Sequence, residues 1–270
     1  MPNVVISVSL PDRFRAPLQG FLERTIARDD VRGIALAGSW ASGRGGPRSD
    51  LDLMIITTGD LFVRKAEWVE ELEIQVMEGP LTWYHLAFTE RKVGTVQRMI
   101  ANCVALWDPD GLVSHLQLEA RQEVARGPDP ADEVGIRRAR FRVTEALDDL
   151  EDLARSSEPD WAAIGVVKAE LVQCLFDAFW LTRRCWPEKA KYALEALRAI
   201  EPAVAESMAT VTGSIRGTGE EQPEAEMRTA VTRLLLHEAT EAARAVLSPV
   251  GGLLRESWSS PPEIVQEWPC

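Results

Sequence analysis

Apolar positions in the N-terminal part of the chain change period repeatedly, and each change marks an element. Phe14, Leu18, Phe21, Leu22 and Ile26 recur near helical spacing, which predicts an amphipathic helix over 11–29 with Pro11 in its first turn. A continuous apolar run predicts a short buried strand at 34–38. A glycine-rich loop follows at 43–46, and residues 51–57 predict a second strand. Two more strands, 72–77 and 82–88, are expected on either side of Gly79-Pro80. A helix over about 93–102 and a last strand at 104–107 lead to Asp108-Pro-Asp-Gly111, a strong turn signal.

From Leu112 onward the strand-like runs give way to long helical patterns. They fall at about 113–125, 131–155, 160–184, 188–198, 201–210 and 223–246, with Pro128, Pro130, Pro159, Pro187, Pro202 and Pro223 as breaks or first turns. Gly213 to Gln222 reads as a polar, flexible connection, and the tail from Ser248 has no clear period. The pattern predicts an α+β fold: a mixed sheet with helices over 1–112, then an all-α helical bundle over 113–270.

Composition narrows the classes. The 270 residues are 46% hydrophobic and 27% charged, enough for one large domain or two smaller ones that each bury a core. No apolar run approaches the roughly 20 residues that cross a bilayer. The start lacks the basic region and apolar block of a signal segment, so a cytoplasmic location is expected. Cys103, Cys174, Cys185 and Cys270 show no paired spacing and read as reduced thiols. A net charge of -12 argues against a general nucleic-acid binder, which needs a basic footprint. It suits a cationic small substrate and equally suits plain solubility.

The chemistry concentrates in one stretch. An apolar run ends in Gly38-Ser39, a loop containing Gly43 follows, and Ser49-Asp50-Leu51-Asp52-Leu53 opens the next strand. Alternation puts Asp50 and Asp52 on one face of that strand. Neighbouring carboxylates repel each other and build a poor core, but a divalent cation between them removes the conflict.

The spacing Gly38-Ser39-x3-Gly43-x5-Ser49-Asp50-Leu51-Asp52-Leu53 resembles the signature of the nucleotidyltransferase superfamily, to which DNA polymerase β belongs. Size and layout look most like antibiotic adenylyltransferases acting on aminoglycosides or lincosamides, and the N-terminal motif is shared with the minimal nucleotidyltransferases of toxin–antitoxin pairs. The resemblance implies a magnesium-dependent enzyme, with Asp50 and Asp52 holding Mg²⁺ beside the triphosphate of ATP or another nucleoside triphosphate. Gly38, Ser39 and Ser49 would lie at the nucleotide. The glycine lets a phosphate approach the backbone, and Ser39 offers a hydroxyl and an N–H at a helix start. Arg44 and Arg48 are candidates to touch phosphates or to be solvated loop residues.

The superfamily usually adds a third carboxylate on a later strand, within an apolar-acid-apolar triplet. Three residues compete for that place as third acid or base. Glu73 has the triplet Leu72-Glu73-Ile74, Glu90 follows the expected strand at 82–88, and His85 lies within it in Tyr84-His85-Leu86. A site with two acids only, binding nucleotide without efficient transfer, is the remaining possibility.

In the helical half, Trp186-Pro-Glu-Lys-Ala-Lys191-Tyr192 resembles an element of antibiotic adenylyltransferases in which a lysine reaches the triphosphate. Lys191 fits it best, with Lys189 the fallback, and a solvated lysine on an amphipathic helix is the alternative. The acidic run Glu145 to Asp152 reads as a water-facing surface or as a cleft wall for a polycationic sugar. Trp161, Trp180 and Trp186 read as core, and Arg233-Leu-Leu-Leu-His237 as packing. The expected partners are a nucleoside triphosphate and a small-molecule acceptor, with no nucleic acid and no membrane. The expected reaction is transfer of AMP to an acceptor hydroxyl. A nucleotide-binding regulatory module and a toxin-type enzyme that modifies a protein are the alternatives.

Overall fold

A computed structural model describes residues 10–89, 94–213 and 225–255. Glu90, most of the 213–222 connection, Cys270 and the tail beyond Arg255 lie outside the described residues. The chain forms two compact units, Met1–Pro128 and Asp129–Cys270.

The first unit is built on a five-stranded mixed sheet in the order β3-β4-β2-β1-β5. Its strands are β1 (Val31–Ala37), β2 (Leu51–Thr57), β3 (Val63–Val69), β4 (Leu72–Pro80) and β5 (Val104–Trp107). β2 and β4 run parallel, and the other pairings are antiparallel. Leu51, Leu53, Ile55, Ile74 and Val76 point to the face covered by α1 (Asp12–Ile26), which contributes Phe14, Leu18, Phe21 and Leu22 to that layer. Met54 and Ile56 point to the opposite face. There they meet α3 (Leu81–Thr89), α4 (Gly94–Ala101) and α5 (Leu112–Arg126) through Tyr84, Ile100, Val113 and Leu116.

Three expectations change. Residues 82–88 form the helix α3, not a strand. The run is apolar on every side, so its period is ambiguous; Pro80 ends the strand, and Tyr84 and Phe88 then bury themselves at helical spacing. The Tyr84 hydroxyl donates to the Met77 carbonyl at 2.8 Å and pins the helix to the sheet. A strand absent from the expected set, β3, lies at the sheet edge. Arg64, Lys65 and Glu67 hide its apolar alternation, as charges on an exposed edge do. Finally, the boundary expected near residue 112 falls after Pro128, because α5 packs on α4 and β1 and so belongs to the first unit. Asp108 starts that helix, accepting the backbone N–H groups of Val113 and Ser114 at 2.9 Å.

The second unit is helical: α6 (Glu133–Ala154), α7 (Trp161–Thr182), α8 (Ala190–Ile200), α9 (Pro202–Gly213) and α10 (Ala225–Leu247). Asp132 caps α6 by accepting the Gly135 N–H at 2.7 Å, and Asp160 caps α7 through Ala162 and Ala163. Leu147, Leu150, Ile164, Leu171, Leu175, Phe179, Leu197, Met208 and Val246 fill the core. Trp180 and Trp186 are buried as expected. On α6, Glu145, Asp149 and Asp152 face outward while Val143, Ala146, Leu147 and Leu150 face in. The architecture as a whole is α+β, a mixed sheet with helices followed by helices alone.

Candidate functional site

Register brings the predicted residues to one end of the sheet. Ala37 pairs with Asp52, so β1 ends and the chain turns at Gly38 directly beside the start of β2. On the other side β2 runs parallel to β4, with Leu51 opposite Ile74 and Asp52 opposite Gln75. One residue earlier in sequence come Asp50, just before β2, and Glu73 in β4. The four polar residues thus replace, at this end, the apolar ones that Met54 and Met77 begin further along.

The Asp52 carboxylate is the nearest group to the side-chain position of Gly38. The glycine has φ of +66°, and a Cβ added to it would fall 1.8 Å from Asp52 Oδ2 and 2.7 Å from Cγ. A methyl group cannot occupy the carboxylate's place, and the left-handed backbone disfavours any side chain. The short helix α2 (Gly38–Ala41) starts here, with Ser39 half-buried in it.

The loop after α2 is folded back by its own residues. Ser42 donates its hydroxyl to the Gly38 and Ser39 carbonyls, and the Arg44 N–H donates to Ser39 O at 2.8 Å. Trp40 meets Phe14 of α1 edge-on, with centroids 5.6 Å apart, and its indole N–H points to the Ser49 carbonyl at 3.4 Å. Gly45 lies flat on the same indole, where an added Cβ would come 2.2 Å from Cδ2. Trp40 is the support that sequence reasoning passed over; its signal is the glycine five positions later. Ser49 Oγ accepts the Gly46 N–H at 3.0 Å and closes the turn.

A cavity of about 340 Å³ opens beside this loop, lined by Arg48, Ser49, Asp50 and Glu73 together with Arg13, Trp68, Glu70 and Glu71. Asp50 and Glu73 therefore share one cavity, while Asp52 sits on the Gly38 flank. Glu73 accepts a hydrogen bond from the Gln75 amide at 3.3 Å, and Gln75 in turn accepts one from Arg64 at 3.3 Å.

The remaining candidates belong to other elements. His85 is on α3, with Nε2 2.9 Å from Glu119 Oε2, and Glu119 also meets His115 at 3.3 Å. The strand that was to carry His85 toward the aspartates does not exist. Lys191 belongs to α8 in the second unit, with its ammonium 4.9 Å from the Tyr192 ring centroid, and Lys189 is the residue before that helix.

Among the described residues, no three histidine, cysteine or carboxylate side chains stand placed to hold a metal ion. The donor set at the sheet end still fits one kind of ion. Magnesium takes hard oxygen ligands and commonly only one or two protein carboxylates, with water and phosphate oxygens completing the shell. Asp50 and Asp52 match that requirement; a cation needing a full protein cage would not be satisfied. Among the described residues Cys103, Cys174 and Cys185 form no disulfide, and burial pushes the Cys103 thiol up to about 12. No described helix is long and apolar enough to cross a membrane.

The chain matches no family model and no curated protein. It is similar in structure to a nucleotidyltransferase-like protein from Exiguobacterium sibiricum. The match covers 88% of this chain and 78% of that one, at 10% sequence identity and a TM-score of 0.42. A similarity of that extent says nothing of activity.

Proposed function

We propose that the chain is a magnesium-dependent nucleotidyltransferase. It would move a nucleoside monophosphate, AMP from ATP first among them, to a hydroxyl of a small cytoplasmic acceptor such as an aminoglycoside or lincosamide. The observation that carries this reading is the Asp52 carboxylate seated against Gly38, with Asp50 and Glu73 lining one cavity. Asp50 and Asp52 are the residues that would hold Mg²⁺, which when bound neutralises charge on the triphosphate. Gly38 makes room for the Asp52 carboxylate, and Ser39 would offer its hydroxyl and N–H to a phosphate oxygen. Glu73 takes the proton of the acceptor hydroxyl as that oxygen attacks the α-phosphorus and pyrophosphate leaves. Positioning supplies most of the remaining acceleration.

A nucleotide-binding module without transfer is the second reading. It is favoured by the lack, among the described residues, of three converged ligating side chains. The deciding experiment incubates the full chain with radiolabelled nucleoside triphosphates, Mg²⁺ and a panel of aminoglycosides and lincosamides. Pyrophosphate release with one acceptor, lost in the Asp50→Asn, Asp52→Asn double variant, is the expected result. Metal-dependent nucleotide binding without release would select the module, and no metal-dependent binding would end both readings.

A further inference from the structure

We propose that the second unit carries an anion site for a phosphoryl group, separate from the sheet-end site. It lies between the loop that follows α6 and the N-terminal half of α10. A cavity of about 590 Å³ opens there, lined from the loop side by Arg155, Ser156 and Ser157 and from α10 by Thr229, Thr232 and Arg233.

Sequence explains the convergence. Residues 229, 232, 233 and 236 fall on one face of α10 by helical spacing, so two threonines, an arginine and Leu236 are presented together. The Thr232 hydroxyl donates to the Ala154 carbonyl at 3.4 Å and sets the distance between the end of α6 and α10. On the loop side the Ser156 hydroxyl accepts the Glu158 N–H at 3.3 Å, which curls the chain and leaves Ser157 at the cavity wall.

The charge balance of this cavity is opposite to that of the chain. The protein has 42 acidic and 30 basic residues, yet the described lining residues include two arginines and no carboxylate. Arg155 is paired with Glu151 of its own helix at 2.5 Å. Arg233 makes no ion pair or hydrogen bond among the described residues, although a guanidinium offers five donors. This is the stretch that the sequence assigned to packing. In the structure Leu235 is buried, but Leu234 is 55% exposed and Arg233 faces the cavity.

Two arginines from different elements, with Ser157 on the same cavity wall, suit a dianion better than a singly charged carboxylate. A phosphoryl group brings three strong acceptor oxygens and more charge, and arginine binds it in a forked manner. The ligand class is accordingly a small phosphate monoester or inorganic phosphate. The site does not depend on the sheet-end aspartates or on their function.

Isothermal titration of the full chain with inorganic phosphate, and separately with acetate, tests this. Phosphate is expected to bind more tightly than acetate, and Arg233→Gln to weaken phosphate binding about tenfold, the usual scale for a charged hydrogen bond. Arg155→Gln should weaken it too, while the Asp50→Asn, Asp52→Asn variant should bind phosphate as the parent does. Circular dichroism and melting of Arg233→Gln should match the parent, since the side chain is at the surface. Phosphate binding that survives Arg233→Gln overturns the proposal, as does equal binding of acetate or no binding of phosphate. Protection of Arg233 from phenylglyoxal by phosphate gives an independent reading that does not require a variant.

Discussion

The carboxylate of Asp52 occupies the space that a side chain on residue 38 would fill, so the two positions are chemically one unit. Glycine at 38 is required twice, by its φ of +66° and by the 1.8 Å approach of Oδ2 to an added Cβ. Gly38→Ala must therefore either move Asp52 or move the turn. A left-handed non-glycine residue costs roughly 1–2 kcal/mol, which a folded domain survives. We expect a small fall in melting temperature and at least tenfold weaker metal-dependent nucleotide binding. Calorimetric melting and titration with Mg-ATP measure both. Full binding by Gly38→Ala would sever the link between this geometry and the nucleotide.

Glu73 and His85 give opposite expectations. Glu73 shares a cavity with Asp50, while His85 stands against Glu119 on the helical face. Glu73→Gln keeps the size of the side chain and removes the base. Transfer should drop by about 10²–10⁴, the range for a general base, with nucleotide affinity unchanged. His85→Gln should leave transfer intact. Pyrophosphate release and equilibrium binding on both variants check the pair, and the reverse ranking would return the base role to His85.

Local order carried most of what the sequence made legible. β2 and β5 occupy the spans expected of them, because each is an apolar run ended by strong turn signals. The helices of the second unit lie where proline and apolar period place them. What failed depends on the environment. Residues 82–88 are apolar all round and take the helix that lets Tyr84 reach the Met77 carbonyl. In β3 the apolar Val63 and Trp68 are exposed while the charged Lys65 and Glu67 take the half-buried positions, so no apolar alternation marks it. At the site, Gly38 and Asp52 were each legible from spacing, but not the contact between them. The use of the Ser49 hydroxyl by Gly46, and of Trp40 as the platform for Gly45, follows from the path of a loop that no local pattern encodes.

A carboxylate cluster on the sheet links stability to pH. Arg28 donates to Glu78 at 2.5 Å and to Asp30 at 2.8 Å, and Lys65 stands 3.4 Å from Glu78. The Arg28 hydrogen bond is the main cause holding the Glu78 and Asp30 carboxyls below the ordinary carboxylate range. Depressed values in the folded state mean that the unfolded chain binds protons first as pH falls. The stabilisation is complete above the ordinary carboxylate range and is lost as pH drops through it toward the folded values. Melting temperature against pH should therefore fall more steeply on the acid side for the parent than for Glu78→Gln. The two curves should converge at the acid end. Parallel curves would mean that the cluster contributes nothing.

Arg183 closes the second unit in a comparable way. Its side chain is 11% exposed at the end of α7. It donates to Glu201 at 3.0 Å, to the Ala245 carbonyl at 3.2 Å and to the Val246 carbonyl, and it lies 5.0 Å from the Phe179 ring centroid. One guanidinium thus satisfies carbonyls at the end of α10 that have no partner within that helix. Arg183→Met keeps much of the apolar stem but removes every donor, taking one partner from the Val246 carbonyl and the ion pair from Glu201, while the Ser248 hydroxyl still reaches the Ala245 carbonyl at 3.0 Å. Hydrogen bonds from charged groups contribute about 1.5–3 kcal/mol each, with strong non-additivity in a shared network. We expect a loss of about 2–4 kcal/mol in urea unfolding on that basis, and Arg183→Lys should recover less than half, because an ammonium cannot span two helix ends. The first unit's nucleotide binding, measured in the same variant below its melting temperature, should be unaltered. A loss under about 0.5 kcal/mol, the scale of an ordinary surface change, would show that water replaces the guanidinium at no cost.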